Sequence, residues 1–134
     1  MEFEGIILDT DIIIGILNGE RVASIVYTEA LKRGQLVATT SVSVLELAMI
    51  AQMSSEPIVK MRGLQDLIDA IDILPVTKGA ALLASEILSK DSGVLLRDAL
   101  VAGVALEEGF ALLTKETGTF GKIAGLRMLS VEMK

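Results

Sequence analysis

Residues 5–14 read GIILDTDIII, and the fold follows from how that stretch is parsed. Ile6, Ile7 and Leu8 are consecutive apolar residues with no polar alternation, which is how a strand buried on both faces reads. The run stops at Asp9, Thr10 and Asp11 and resumes with Ile12, Ile13 and Ile14. A carboxylate at the carboxyl end of a buried strand sits at the rim of an α/β sheet, where such folds hold their ligands. Nothing within the run offers Asp9 or Asp11 a cationic partner. Each must be solvated, hydrogen-bonded to nearby backbone, or facing a metal. The structural alternative is that Thr10 or Asp11 N-caps the following helix. That alternative suits Asp11 better than Asp9, which leaves Asp9 as the stronger candidate for chemistry.

Outward from this stretch, apolar runs and breakers alternate. Helical patterns cover 12–17 and 20–33, with Gly34 a C′ stop behind Lys32 and Arg33. A second strand lies at 36–38, and Thr39, Thr40 and Ser41 are cap candidates for a helix over 42–53. Ser54 to Pro57 break it, and Pro57 is placed to open a helix through residue 71. Residues 73–76 read as a third strand and 78–90 as a helix that Thr77 or Lys78 begins. After a turn at Asp91, Ser92 and Gly93, a long helix over 96–108 ends at Gly109. Residues 110–113 form a strand, 114–121 a loop, and 127–131 a last strand. Strands alternating with helices predict one α/β domain over residues 1–134, with a mostly parallel central sheet flanked by helices. Whether the middle helices clip over the sheet stays open.

The composition removes whole classes of chemistry. The 134 residues contain neither Cys nor His, which excludes thiol nucleophiles, Cys/His zinc sites, Ser-His-Asp triads and imidazole catalysis. An enzyme built from this chain works with carboxylates, hydroxyls, Lys and Arg, a donor set suited to Mg2+ or Mn2+. The net charge of −6 speaks against a nucleic-acid partner held by basic residues, although metal in a carboxylate cluster reverses its local sign. Arg97 and Lys115 each adjoin a candidate acid. No apolar run approaches the roughly 18 residues of a membrane span, and Met1 to Glu4 are acidic where a signal peptide is basic, so a cytoplasmic location is expected. A hydrophobic fraction of 51% then calls for a subunit interface, with aliphatic helix faces around 42–53 or 58–74 the candidates.

Three further acids stand out. Glu46, in VSVLELAMI, shares its helix face with Val42, Met49 and Ile50, a costly direction for an unpaired carboxylate. The alternative is a capping box formed by Ser43 and Glu46. Asp98 faces Val101, Ala102 and Ala105 along its helix, with an N-cap role as the alternative. Glu116 follows the 110–113 strand, where a solvated loop acid is the bland reading, and Thr114 can orient a neighbouring group through its hydroxyl.

With Asp9, Glu46, Asp98 and the Thr114–Glu116 pattern in this order, the chain resembles the PIN domain family, in particular single-domain prokaryotic toxins of the VapC type. The resemblance spans nearly the whole chain through LDTDIIIGILNG, TSVSVLELAMIA, RDALVAGVALEEGFALLT and TFGKIAGLRML. It implies a metal-dependent endoribonuclease in which Asp9, Glu46, Asp98 and Glu116 hold Mg2+ or Mn2+, supported by Thr114 and Asp11. It further implies an RNA substrate, a homodimer and an antitoxin protein as partner. Glu116 stands where the family usually has Asp or Asn, Asp11 where Asn is common, and Thr119 where a polar or acidic residue often precedes Phe120. Two other functions are compatible with parts of this pattern. A PIN-like fold can serve as a non-catalytic protein-binding module with a degenerate site. The Asp9-Thr10-Asp11 triplet also resembles the opening of haloacid-dehalogenase-like phosphatases, but their later Lys and paired-acid motifs are missing.

Overall fold

The computed structural model describes residues 4–130. Its elements are β1 (Gly5–Leu8), α1 (Thr10–Leu17), α2 (Arg21–Lys32), β2 (Leu36–Thr40), α3 (Ser41–Gln52), α4 (Pro57–Ala70), β3 (Asp72–Leu74), α5 (Lys78–Lys90), α6 (Leu96–Glu108), β4 (Ala111–Thr114), α7 (Thr117–Phe120) and β5 (Met128–Ser130). The five strands form one sheet in the order β3-β2-β1-β4-β5, and every neighbouring pair is parallel. This is the α/β parallel architecture that the alternating pattern predicts.

The central strand β1 is buried along its whole length, as its unbroken apolar run requires. Its side chains alternate between two cores. Ile6 and Leu8 join Ile12 and Ile13 of α1, Ala23 and Ala30 of α2, Leu47 of α3 and Leu64 of α4 on one face. Ile7 points the other way, into Ala80 of α5, Val101, Ala102, Val104 and Ala105 of α6, and Phe120 of α7. Helices thus cover both faces, and the middle pair α3–α4 packs on the α1 side. Small residues let α5 and α6 approach closely. A Cβ built on Gly103 would lie 2.3 Å from the Ala80 carbonyl oxygen.

The chain winds from β1 through β2 to β3, then crosses to the other side of β1 for β4 and β5. The direction of winding therefore reverses between β1 and β4, and parallel α/β sheets bind ligands beyond the carboxyl ends of strands at such a switch.

Local differences from the sequence reading have physical causes. α1 begins at Thr10 rather than residue 12, with Asp9 as its N-cap. β3 ends at Leu74, before Pro75, which has no N–H to continue the ladder with β2. The stretch read as a loop at 114–121 contains the single turn α7. Thr and Gly give that turn little intrinsic helix propensity, and the fully buried Phe120 ring holds it against the core instead. The last strand was expected to reach Val131, which lies outside the described residues, as do Met1 to Phe3. Among the described residues, no helix is long and apolar enough to cross a membrane.

Candidate active site at the carboxyl end of the sheet

Asp9 leaves β1 with its backbone still in the ladder, donating to the Leu113 carbonyl at 3.0 Å. Thr39 pins the same strand end by donating its hydroxyl to the Leu8 carbonyl at 2.7 Å. The Asp9 side chain is 2% exposed. Its Oδ1 accepts from the Thr10 N–H at 2.8 Å and its Oδ2 from the Thr114 hydroxyl, at the end of β4, at 2.9 Å.

Arg97, in the first turn of α6, supplies the countercharge. Its Nη2 donates to Asp9 Oδ1 at 2.8 Å and to Glu46 Oε1 at 2.6 Å, while Nε reaches Glu46 Oε2 at 3.1 Å. Nη1 donates to Asp98 Oδ1 at 2.9 Å and lies 3.4 Å from Asp9 Oδ2. One guanidinium thus binds three carboxylates, one between β1 and α1 and one each from α3 and α6. Burial alone would lower its pKa, but hydrogen bonds to Glu46 and Asp9, and the Asp9 charge, more than offset this and hold it above its usual value.

The capping alternatives for these acids do not hold. The N-cap of α3 is Thr40, whose hydroxyl accepts from the Ser43 N–H, so Ser43 lies inside the helix and Glu46 faces Arg97. The Thr10 hydroxyl donates to Glu46 Oε1 at 2.7 Å and sits 2.9 Å from the Ser43 hydroxyl. The N-cap of α6 is Leu95, with no side-chain cap bond, and Asp98 stands in the first turn bonded to Arg97. Asp11 is not a cap either. Its Oδ2 accepts from the Lys115 N–H at 3.0 Å, near the Thr114 hydroxyl at 3.4 Å. Its Oδ1 is buried and has no hydrogen-bond partner. Burial, followed by the nearby Asp9 charge, pushes the Asp11 pKa up against the opposing pull of the Lys115 N–H.

Glu116 stands apart. Its backbone N–H donates to the Thr114 hydroxyl at 3.0 Å, but the residue is exposed and is not among the acids paired with Arg97. Lys115 reaches Glu20 at 2.9 Å. The sequence reads Thr10 and Ser43 only as capping residues and Arg97 only as a neighbour of an acid, whereas all three join the cluster. The available signal was that Arg97 adjoins Asp98 while no cation adjoins Asp9 or Glu46.

The donor set is carboxylate and hydroxyl oxygen throughout, which suits a hard divalent cation, and the unpartnered Asp11 Oδ1 adds an acceptor beside it. In kind, these residues fit Mg2+ or Mn2+. In arrangement they enclose a guanidinium: among the described residues, no group of three or more acids is spaced to hold a metal ion.

Fold and site together define a class, a parallel α/β domain with an acidic site at its topological switch. Residues 6–126 match the family described as PIN domain, and the chain belongs to that family. No curated protein matches the sequence. Solved structures share the fold. VapBC2 from Rickettsia felis, bound to a DNA fragment from its promoter, aligns with a TM-score of 0.84 at 19% identity, covering 95% of this chain and 98% of that one. DNA-bound VapBC from Salmonella typhimurium aligns at 0.83 with 23% identity, over 96% and 98% of the two chains. VapBC-1 from nontypeable Haemophilus influenzae aligns at 0.79 with 20% identity, over 93% and 96%.

Proposed function

We propose that the protein is a metal-dependent endoribonuclease, the toxin of a toxin–antitoxin pair. The observation that carries this reading is the convergence of Asp9, Glu46 and Asp98, from three separate elements, on one cation at the switch point of the sheet. Structures titled VapBC and toxin–antitoxin complex share the fold, which supports the toxin assignment and an antitoxin partner. In this reading Asp9, Glu46 and Asp98 hold Mg2+ or Mn2+, with Glu116 at the rim as the fourth acid. Held by these acids, such an ion would supply Lewis-acid chemistry at a phosphodiester, for which no histidine base would be needed. Thr114 and Thr10 orient the Asp9 and Glu46 carboxylates through their hydroxyls, and Asp11 stands beside them, accepting from the Lys115 N–H.

The apolar surplus supports a homodimer. Leu45, Met49, Met53, Ile58 and Val59 of the α3–α4 pair are exposed, Met53 by 82%. Between α1, α3 and α4 lies a groove of about 310 Å3 lined by Ile14, Leu47, Ile50, Val59 and Leu64, of a character suited to an apolar antitoxin segment. A cytoplasmic location fits this role.

A specific observation favours a second reading, a non-catalytic protein-binding module: Arg97 already neutralises part of the acidic cluster. Thermal melts in EDTA and in millimolar Mn2+ separate the two. A metal site raises the wild-type midpoint by mass action, and Asp98→Asn gains much less. Identical melts in both buffers favour the module.

A further inference from the structure

The guanidinium of Arg97 lies where the three carboxylates converge. It engages both oxygens of Glu46, Oδ1 of Asp98 and Oδ1 of Asp9, with Oδ2 of Asp9 at 3.4 Å. Its Nη2 also meets the Thr10 hydroxyl at 2.9 Å, so the donor fork is spent on this cluster. No other cation among the described residues pairs with these acids. A divalent ion needs the same inward lone pairs, at 2.0–2.1 Å for Mg2+. Seating both cations on those carboxylates is opposed by repulsion between like charges a few Å apart outside bulk water.

Arg97 is also placed to leave. It sits in the first turn of α6 next to the exposed Leu95 and Leu96, and its own side chain is 26% exposed. The arm is long, with several rotatable bonds, and carries a charge that water solvates readily.

We propose that Arg97 is the site's own counter-ion, and that a divalent cation loads only by displacing its guanidinium from Asp9, Glu46 and Asp98. The inference rests on the metal-site reading above. It adds that the cation-free site is held closed by a residue of the same chain, which sets a threshold of metal concentration for activity. Arg97 acts through the carboxylates and is a positioning residue in this sense.

The test uses the full chain and the metal alone. Isothermal titration calorimetry with Mn2+ compares wild type with Arg97→Gln, which keeps a polar side chain but removes the competing charge. Arg97→Gln is expected to bind Mn2+ at least tenfold more tightly. Because that variant leaves three carboxylates unpaired and can fail to fold, a second measurement uses wild type. The Arg97 Nε–Hε resonance of 15N-labelled protein is followed during Mg2+ titration. It is expected to start at a hydrogen-bonded shift and move to the value of a solvated arginine as the ion binds. Equal or weaker Mn2+ binding by Arg97→Gln, or an Nε–Hε shift unchanged at saturating Mg2+, overturns the proposal and leaves the metal site itself intact. Binding of neither ion by any folded form overturns both. If Arg97→Gln does not fold, the wild-type resonance decides alone.

Discussion

Replacing Asp9 by alanine removes three interactions at once, and the structure fixes the sign of the result. The side chain N-caps α1, accepts the Thr114 hydroxyl at 2.9 Å and pairs with Arg97 at 2.8 Å. Loss of an N-cap costs about 0.5–2 kcal/mol. Deleting one partner of a fully buried ion pair costs about 3–5 kcal/mol. Here the guanidinium keeps Glu46 and Asp98 and is 26% exposed, so the pairing and hydroxyl contributions together come to roughly 1–2 kcal/mol. The expected total is about 1.5–4 kcal/mol in EDTA. For a domain of this size that lowers Tm by roughly 5–15 °C. Asp9→Asn retains one oxygen for the cap and should lose about half as much. Differential scanning calorimetry in EDTA is the assay. Without Arg97, three crowded carboxylates would repel, and neutralising one would leave the apo protein unchanged or more stable. A rise in Tm for Asp9→Ala or Asp9→Asn would therefore refute the shared-cation geometry.

Other perturbations test separate parts of the structure. Gly103→Ala forces a methyl against the Ala80 carbonyl, 2.3 Å away, and should cost about 1–3 kcal/mol by urea denaturation, whereas Gly63→Ala, with nothing within 4 Å, should stabilise by about 0.5–1 kcal/mol. Burial raises the folded pKa of Asp11 above its ordinary value of 3.8, so its ionisation opposes folding. That penalty is absent below pH 3.8 and grows as pH rises through the folded pKa. Asp11→Asn should thus raise Tm at pH 7 in EDTA and converge on wild type at the acid end, a difference that melts across pH will read. Phe120→Ala should cost about 3–5 kcal/mol in urea, because the fully buried ring anchors α7 to α6 and the sheet.

The legible parts of the molecule are those whose environment is written locally. Ile6 to Leu8 announce a doubly buried strand because the run is apolar with no polar alternation, and Ile6 and Ile7 do enter opposite cores. Glu46 and Asp98 are conspicuous as charges among apolar helix neighbours, and both turn toward Arg97. What supplies their countercharge is not local. Arg97 lies 88 residues from Asp9 and 51 from Glu46, and no sequence window spans either separation. The cap of α3 is Thr40, one of the three candidates the sequence offers, whereas the cap of α1 is Asp9 rather than Thr10 or Asp11. In DTD several side chains can cap, and the Thr114 and Thr39 hydroxyls, from β4 and β2, hold this strand end. Glu116 illustrates the converse, since a loop acid after a strand reads as solvated and the residue is indeed exposed, apart from the acids that Arg97 gathers.

The central claim is that the acids gathered at the end of the sheet cut RNA with a divalent metal. Cleavage of an end-labelled, unstructured RNA by the purified protein, in Mn2+ or Mg2+ and in EDTA, tests it most directly when run beside Asp98→Asn. The account predicts internal cleavage by wild type with metal, none in EDTA, and at least a hundredfold slower cleavage by Asp98→Asn that retains wild-type circular dichroism. Cutting that persists in EDTA or survives Asp98→Asn, or an RNA left intact by wild type at saturating metal, would contradict it.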